Sequence, residues 1–333
     1  MILRLYISLL LLFILNVFIE MYFDINYHKK WHPKLYDPSY TLRCPTKTST
    51  EGKYIASQST IVICSLIRNV ETSFKNTVKR LEFYGGLFAD YRIVLFENDS
   101  SDQTRELAKQ WARDNNKVHL IECEGTKDCK YNSRAQYGNG LLSHERINRM
   151  KWAREQYLNV VKTSYRTFDY MMVYDFDLDG NMCIDGLFQT LAFPGWDAVF
   201  CNGRNPVPGT FGLKTFVYDG SPFVECDEPF KYNMMTGGKM DLVNGYLNMI
   251  RIAMKVDSSN KDFIKVKSAF NGVGIYKIND SLLNASYVNG PSFICEHTIL
   301  HYTMNSNRMY LSKNWIGYFP LQGPKGNGIV NFF

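Results

Sequence analysis

The eight cysteines of this 333-residue chain form no Cys-x-x-Cys pair, which excludes zinc ribbons and dithiol redox motifs. No run of lysine or arginine stands out either. The 38 basic and 32 acidic residues leave +6, too dispersed for a nucleic-acid footprint. No internal repeat of roughly 20–50 residues is apparent, which excludes solenoids and propellers. Histidine is scarce at 6 residues, so His297 and His301, four positions apart and preceded by Glu296, are conspicuous. What is present is ordinary for a globular protein: 45% hydrophobic and 21% charged residues, which exclude wholesale disorder, collagen and coiled coil. The length allows two domains or one large α/β domain.

The N-terminus divides from the rest. Between Leu5 and Phe23 only Ser8, Asn16 and Glu20 interrupt an apolar run, long enough as a helix to cross a hydrocarbon core of about 30 Å. A cleaved signal peptide is the rival, but bulky Ile19, Met21, Tyr22 and Phe23 occupy the exit where small residues are needed. Residues 1–23 are therefore expected as a membrane anchor. Its very short head and long polar tail place the large domain beyond the membrane, as a type II protein, with the Golgi or endoplasmic reticulum lumen as its compartment on a eukaryotic secretory route. Residues 24–58, with Pro33, Pro38 and Pro45 and no apolar period, read as a stem, and 59–333 as the large folded domain. Cys64 lies in an apolar run and is expected as a buried thiol. Cys123 and Cys129 bracket a polar loop and can be joined in an oxidising lumen. Asn-x-Ser sequons at Asn98, Asn279 and Asn284 are compatible with that exposure.

From Thr60 the texture is that of an α/β protein. Ile61 to Ile67 is a β-branched apolar run, after which Phe74, Val78 and Leu81 recur at helical spacing. Tyr91 to Phe96, Val118 to Ile121 and Tyr170 to Tyr174 are further strands. Helices are expected through Leu107, Ala108, Trp111 and Ala112, and through Ile147, Met150, Ala153 and Tyr157. Ser100 with Gln103 fits a capping box before the former. The alternation implies a mostly parallel sheet covered on both faces. Between Ala198 and Gly274, Gly- and Pro-containing segments are expected as long loops of the kind that often carry function.

In such a sheet ligands bind beyond the carboxyl ends of the strands. Those ends are polar here: Arg68-Asn69-Val70-Glu71, Glu97-Asn98-Asp99 and Asp175-Phe176-Asp177-Leu178-Asp179-Gly180. Six carboxylates at three exits repel one another unless a cation or ligand hydroxyls offset them. Two carboxylates one residue apart after an apolar strand can offer oxygens to Mn²⁺ or Mg²⁺. An EF-hand loop is excluded by Gly186 at its twelfth position, where a bidentate Glu is required. A solvated acidic turn is the plain alternative.

The order of an apolar strand, Glu97-Asn98-Asp99-Ser100-Ser101-Asp102-Gln103-Thr104, a helix, then Tyr170 to Asp179 resembles nucleotide-sugar glycosyltransferases of the GT-A fold, with its Rossmann-like sheet and Asp-x-Asp metal motif. Arg68-Asn69, Ser268-Ala269-Phe270-Asn271-Gly272 and Cys295-Glu296-His297 are more narrowly similar to fungal capsule-associated mannosyltransferases, family 69, and related viral and algal enzymes. The resemblance implies a hexosyltransferase, mannosyl in the narrower reading, moving sugar from a GDP- or UDP-linked donor to a glycan or glycoconjugate. It implies donor contacts from Arg68, Asn69, Glu97, Asp99, Arg149, Asp175 and Asn271. Asp177 is then the principal metal ligand, paired with Asp175 or Asp179, and His297 or His301 completes the shell. Arg134, Arg146 and Arg149 precede the metal strand and are candidates to share the diphosphate charge. Glu225, Asp227 and Glu228 are candidate bases if the anomeric configuration inverts. Trp196 can stack on a sugar or belong to the core. Two other functions are carried as alternatives: an inactive carbohydrate-binding accessory protein, and a sugar-phosphate nucleotidyltransferase. The latter expects a Gly-rich basic loop after the first strand, and Arg68-Asn69-Val70-Glu71 is not one.

Overall fold

The computed structural model describes residues 7–8, 11–12, 32–44, 49–123, 144–206, 215–226, 239–291 and 294–319. Among the described residues ten strands are formed: β1 Thr60–Ile67, β2 Asp90–Asn98, β3 Val118–Cys123, β4 Tyr170–Tyr174, β5 Ala198–Pro206, β6 Thr215–Val217, β7 Val224–Glu225, β8 Phe263–Ser268, β9 Val273–Lys277 and β10 Met309–Tyr318. The helices are α1 Pro33–Tyr36, α2 Thr50–Gln58, α3 Glu71–Gly85, α4 Thr104–Asp114, α5 His144–Ser164, α6 Ile184–Ala192, α7 Lys239–Ser258, α8 Asp280–Leu283 and α9 Glu296–Met304.

Strand order is β3-β2-β1-β4-β9-β5-β10-β8-β7, with β6 beside β5. The first four are parallel, in register Ile63↔Ile93 and Ile63↔Met172. Beyond β4 the sheet is mixed, because β9 runs antiparallel to both β4 and β5. The continuous apolar runs follow from burial on both faces. Ile61, Ile63, Met172, Tyr174 and Val199 face one core with Phe74 and Leu81 of α3 and Trp111 of α4. Val62, Cys64, Met171, Val173 and Phe200 face the other with Tyr157, Leu158 and Val161 of α5 and Ile252 of α7. Trp196 is buried and stacked on Tyr170, so it belongs to the core. Cys64 is a buried free thiol, as expected.

Several expectations are corrected. The region from Ala198 to Gly274 holds β5, β8 and the long helix α7 as well as loops. The carboxyl half of β5, Asn202-Gly203-Arg204-Asn205, reads as a turn because its residues are polar, yet it pairs with β6 and β10. Arg204 is neutralised there by Asp257 at 2.7 Å. Helix α4 starts at Thr104, with Asp102 Oδ1 accepting the Thr104 N–H, while Ser100 Oγ accepts from the Asn69 N–H and caps nothing.

The described part of the segment read as a stem is packed. Ala56 and Gly52 of α2 are buried against α6, and Cys44 is disulfide-bonded to Cys183. A Cβ at Gly52 would lie 1.7 Å from the Phe188 carbonyl oxygen. Gly52→Ala is therefore expected to destabilise by about 1–3 kcal/mol through a forced backbone shift, read as a lowered melting temperature. Cys123 is disulfide-bonded; Cys129 lies outside the described residues. Apart from Ile7, Ser8, Leu11 and Leu12, so does the anchor segment. No helix among the described residues is long and apolar enough to cross a membrane.

Candidate active site at the carboxyl ends of the strands

The exits of β1 and β2 are tied together. Asn69 Oδ1 accepts from the Ser101 N–H at 2.8 Å, and the Val70 N–H donates to Thr104 Oγ1 at 2.8 Å. Asn69 and Asp99 adopt left-handed backbone, φ 51° and 52°, a conformation that Asn and Asp tolerate at local hydrogen-bonded turns. Glu97 is fully buried at the end of β2, accepting from the Ser100 N–H at 2.7 Å and Arg105 Nε at 2.8 Å. It fixes the turn that carries Asp99.

The exit of β4 is built by alternation. Phe176 and Leu178 turn into the core, Phe176 with its ring centroid 5.1 Å from that of Phe74, which leaves Asp175 and Asp177 on the other side. The Asp175 N–H donates to the Gly272 carbonyl at 2.9 Å, and Thr77 Oγ1 donates to the Phe176 carbonyl at 2.9 Å. Asp175 is joined by Arg154, whose Nη2 donates to Oδ1 at 2.9 Å. Arg154 Nε donates to Glu296 Oε1 at 3.1 Å, and Nη1 to Tyr157 OH at 3.2 Å. This arginine is itself buried.

The acids do not all find such compensation. Burial raises Asp175 above its ordinary range against the pull of Arg154. Asp177 is pushed up to about 6, first by burial and then by Asp175; Arg146 offsets only part of this. Asp219, just after β6, is pushed up to about 7 by burial, with Glu296 and Asp175 adding repulsion. Its N–H approaches Asn271 Oδ1 at 3.4 Å, and its Oδ1 accepts from the Ser221 N–H at 2.9 Å. Asn271 is buried with its Nδ2 unpartnered among the described residues. Half-buried, mutually repelling carboxylates beside an unsatisfied buried amide are characteristic of a binding site.

Other expected residues are placed elsewhere. Asp179 is ion-paired with Arg80 at 2.9 Å on the α3 side. His301 is engaged at both ring nitrogens, by Ser268 Oγ at 2.8 Å and Tyr276 OH at 3.0 Å. Burial lowers it to about 3, and both its nitrogens are committed to these core hydroxyls. His297 is different: neither nitrogen has a partner among the described residues. Its ring stacks on Phe270 at 3.5 Å, and Nε2 is 3.9 Å from Glu296 Oε1. Glu225 on β7 pairs with Lys255. Arg68 follows β1, and Arg149 lies on α5 before Arg154, both partly exposed. Asp227, Glu228 and Arg134 lie outside the described residues.

Sequence reading missed Arg154 and Asp219. For Arg154 a signal existed, since it sits four residues after Met150 and three before Tyr157 on the apolar face of α5. A lone guanidinium there needs buried anions. Asp219 had no such signal.

The donor set fits a hard divalent cation: two adjacent carboxylates, one with no Lys or Arg paired to it among the described residues. No group of three or more His, Cys, Asp or Glu stands ready to hold a metal among the described residues.

No family model matches the sequence, and no curated protein matches it. Solved structures do align. The mannosyltransferase PcManGT of Pyrobaculum calidifontis, in complex with GDP-Man and Mn²⁺, aligns at 12% identity over 91% of this chain and 66% of that one, with a TM-score of 0.41. TarS 1–349 of S. aureus aligns at 14% identity over 78% and 60%, with a TM-score of 0.41; its complex with UDP-GlcNAc aligns at 12% over 80% and 60%, also at 0.41. This chain spans less than two thirds of the length of each. At these identities and scores the alignments carry no argument about activity, which rests on the residues themselves.

Proposed function

We propose that this chain is a glycosyltransferase that moves a hexose, mannose in the narrower reading, from a nucleoside-diphosphate sugar to a glycan or glycoconjugate with the help of Mn²⁺ or Mg²⁺. The observation that carries the proposal is the set of half-buried carboxylates made by Asp175 and Asp177 after β4 and Asp219 after β6, with the buried Arg154 paired to Asp175. In this reading Asp175 and Asp177 hold the cation. When bound, it neutralises charge on the departing diphosphate. Asp99, presented by the turn that Glu97 supports, faces the nucleoside. Arg154 keeps Asp175 ionised and fixed, and Asn271 offers its free Nδ2–H to a donor or acceptor oxygen. Asp219, poised near neutrality, can take the proton of an acceptor hydroxyl as that oxygen attacks the anomeric carbon. The bonded Cys44 and Cys183 suit an oxidising lumen, in keeping with a type II anchor over residues 1–23.

The test is thermal unfolding of the full-length chain with GDP, UDP, GDP-mannose or UDP-hexoses, each with Mn²⁺ or with chelator. A ligand specific to the folded state at 100 times its dissociation constant adds about 2.7 kcal/mol. A Mn²⁺-dependent rise with one nucleotide class is the expected result and identifies the donor base. No rise with any ligand would replace this reading with the non-catalytic accessory protein.

A further inference from the structure

Immediately after Asp177 the chain is gripped at almost every residue. Tyr174 OH donates to the Leu178 carbonyl, Asp179 pairs with Arg80, and a Cβ at Gly180 would lie 1.6 Å from the Tyr318 carbonyl oxygen. From Asn181 onward the grip comes largely from residues 33–44. Asn181 Nδ2 faces the carbonyls of Lys34, Asp37 and Tyr40 at 3.1, 2.7 and 3.1 Å, and its N–H donates to the Leu35 carbonyl at 2.9 Å. The Ile184 N–H donates to the Leu42 carbonyl, Asp185 takes Arg43 Nε at 2.9 Å and the Cys44 N–H at 3.2 Å, and Cys183 is bonded to Cys44.

This strap is distinct from the main packing. Its buried residues Tyr36 and Leu42 lie outside the two large hydrophobic clusters. Its contacts fall on residues 181–185, directly after the acidic turn, and on Arg80, whose Nη2 donates to the Tyr36 carbonyl at 2.5 Å and Nε to Asn181 Oδ1 at 2.9 Å. One helical turn before Arg80, Thr77 holds the Phe176 carbonyl. Helix α3 thus holds the chain on both sides of Asp177, and the strap completes the clamp from outside.

We propose that residues 33–44 form a positioning strap for the Asp175–Asp177 pair, locked by the Cys44–Cys183 disulfide, so that opening the disulfide loosens the acidic turn and lowers cation affinity and turnover while the sheet stays folded. The effect on cation and turnover rests on the reading of that pair given under Proposed function. Opening is a two-electron reduction: a dithiol such as dithiothreitol supplies two electrons and two protons, leaves two cysteine thiols and becomes a cyclic disulfide.

The experiment compares the full-length wild-type chain with a Cys44→Ser/Cys183→Ser variant, well below the variant's own melting temperature, by amide hydrogen exchange, Mn²⁺ binding and transfer kinetics. Exchange in residues 175–181 is expected to quicken about tenfold as local opening becomes easier. Mn²⁺ half-saturation is expected to weaken about tenfold, the usual scale for losing support behind a metal ligand. Turnover falls more than donor KM rises. Dithiothreitol moves the wild type the same way and leaves the variant unmoved, which separates this disulfide from the one at Cys123. Asn181→Ser, with the disulfide intact, shifts exchange at 175–181 in the same direction and serves if the double variant folds poorly. Quickened exchange confined to residues 33–44 would overturn the proposal. A wild type that binds no Mn²⁺ would defeat the functional reading instead, and hydrogen exchange would still decide whether the strap positions the turn.

Discussion

Asp177→Asn is expected to abolish cation-dependent transfer and at the same time raise the melting temperature of the ligand-free protein. The two effects have one cause. Asp177 is pushed up to about 6 by burial and by the neighbouring Asp175, so its charge at neutral pH is carried at a cost. A tenfold change in proton affinity is worth about 1.4 kcal/mol, and partial solvent access screens some of the effect, so relief of about 1–3 kcal/mol is expected from the neutral amide. The pH dependence follows in sign. The folded state holds this proton more tightly than the unfolded one, so the penalty is absent below about pH 4, grows as pH rises and is complete above about pH 6. The stability gained by the variant should therefore be larger at about pH 7.5 than at about pH 4.5, as comparative melting curves would show. Mn²⁺ should stabilise the wild type and not the variant. With a ligand oxygen of the cation lost, kcat/KM is expected to fall by about a hundredfold or more. Undiminished transfer by the variant would remove Asp177 from the centre of the site.

How much of this was legible beforehand depends on which residues carry the signal. Strands β1, β2 and β4 and helices α3 and α5 were visible because burial on both sheet faces writes continuous apolar runs and because their helices have one core face. The acidic exits were visible for the same reason, since charge directly after a buried strand is costly without a purpose. Beyond Ala198 the rule fails. The far end of β5 is polar, with Arg204 balanced by Asp257 from 53 residues away in α7, and no local pattern announces such a partner. The division of labour among Asp175, Asp177 and Asp179 was also hidden, because Arg80 claims Asp179 through tertiary geometry. His297 and His301 look equivalent in sequence. Only the hydroxyls of Ser268 and Tyr276, which satisfy one ring and not the other, tell them apart. The strap was invisible because its backbone carbonyls make most of its contacts, and carbonyls leave no trace in composition.

Arg154→Met should be the most damaging substitution to stability at the site, although methionine suits the apolar face of α5. Arg154 is buried and its guanidinium serves Asp175 at 2.9 Å, Glu296 at 3.1 Å and the Tyr157 hydroxyl at 3.2 Å. Tyr157 OH in turn donates to Tyr287 OH at 3.0 Å. Removing the cation strands two carboxylates in a desolvated site where Asp177 and Asp219 already repel them. Breaking a buried pair in this way costs about 3–5 kcal/mol, far more than the pair contributes over a well-packed apolar replacement. The distinction yields a cycle. If the loss comes from orphaned charge, Arg154→Met/Glu296→Gln should be more stable than Arg154→Met alone, and acidification should narrow the gap to wild type as Asp175 becomes protonated. If it comes from lost side-chain packing, the second substitution should add to the damage and pH should not matter. Arg154→Lys separates charge from shape: an ammonium can neutralise one carboxylate but cannot span Asp175 and Glu296 together as a guanidinium does. It should recover most of the stability and little of the activity, because it cannot hold Glu296 of α9 and Asp175 after β4 at the spacing that the guanidinium sets.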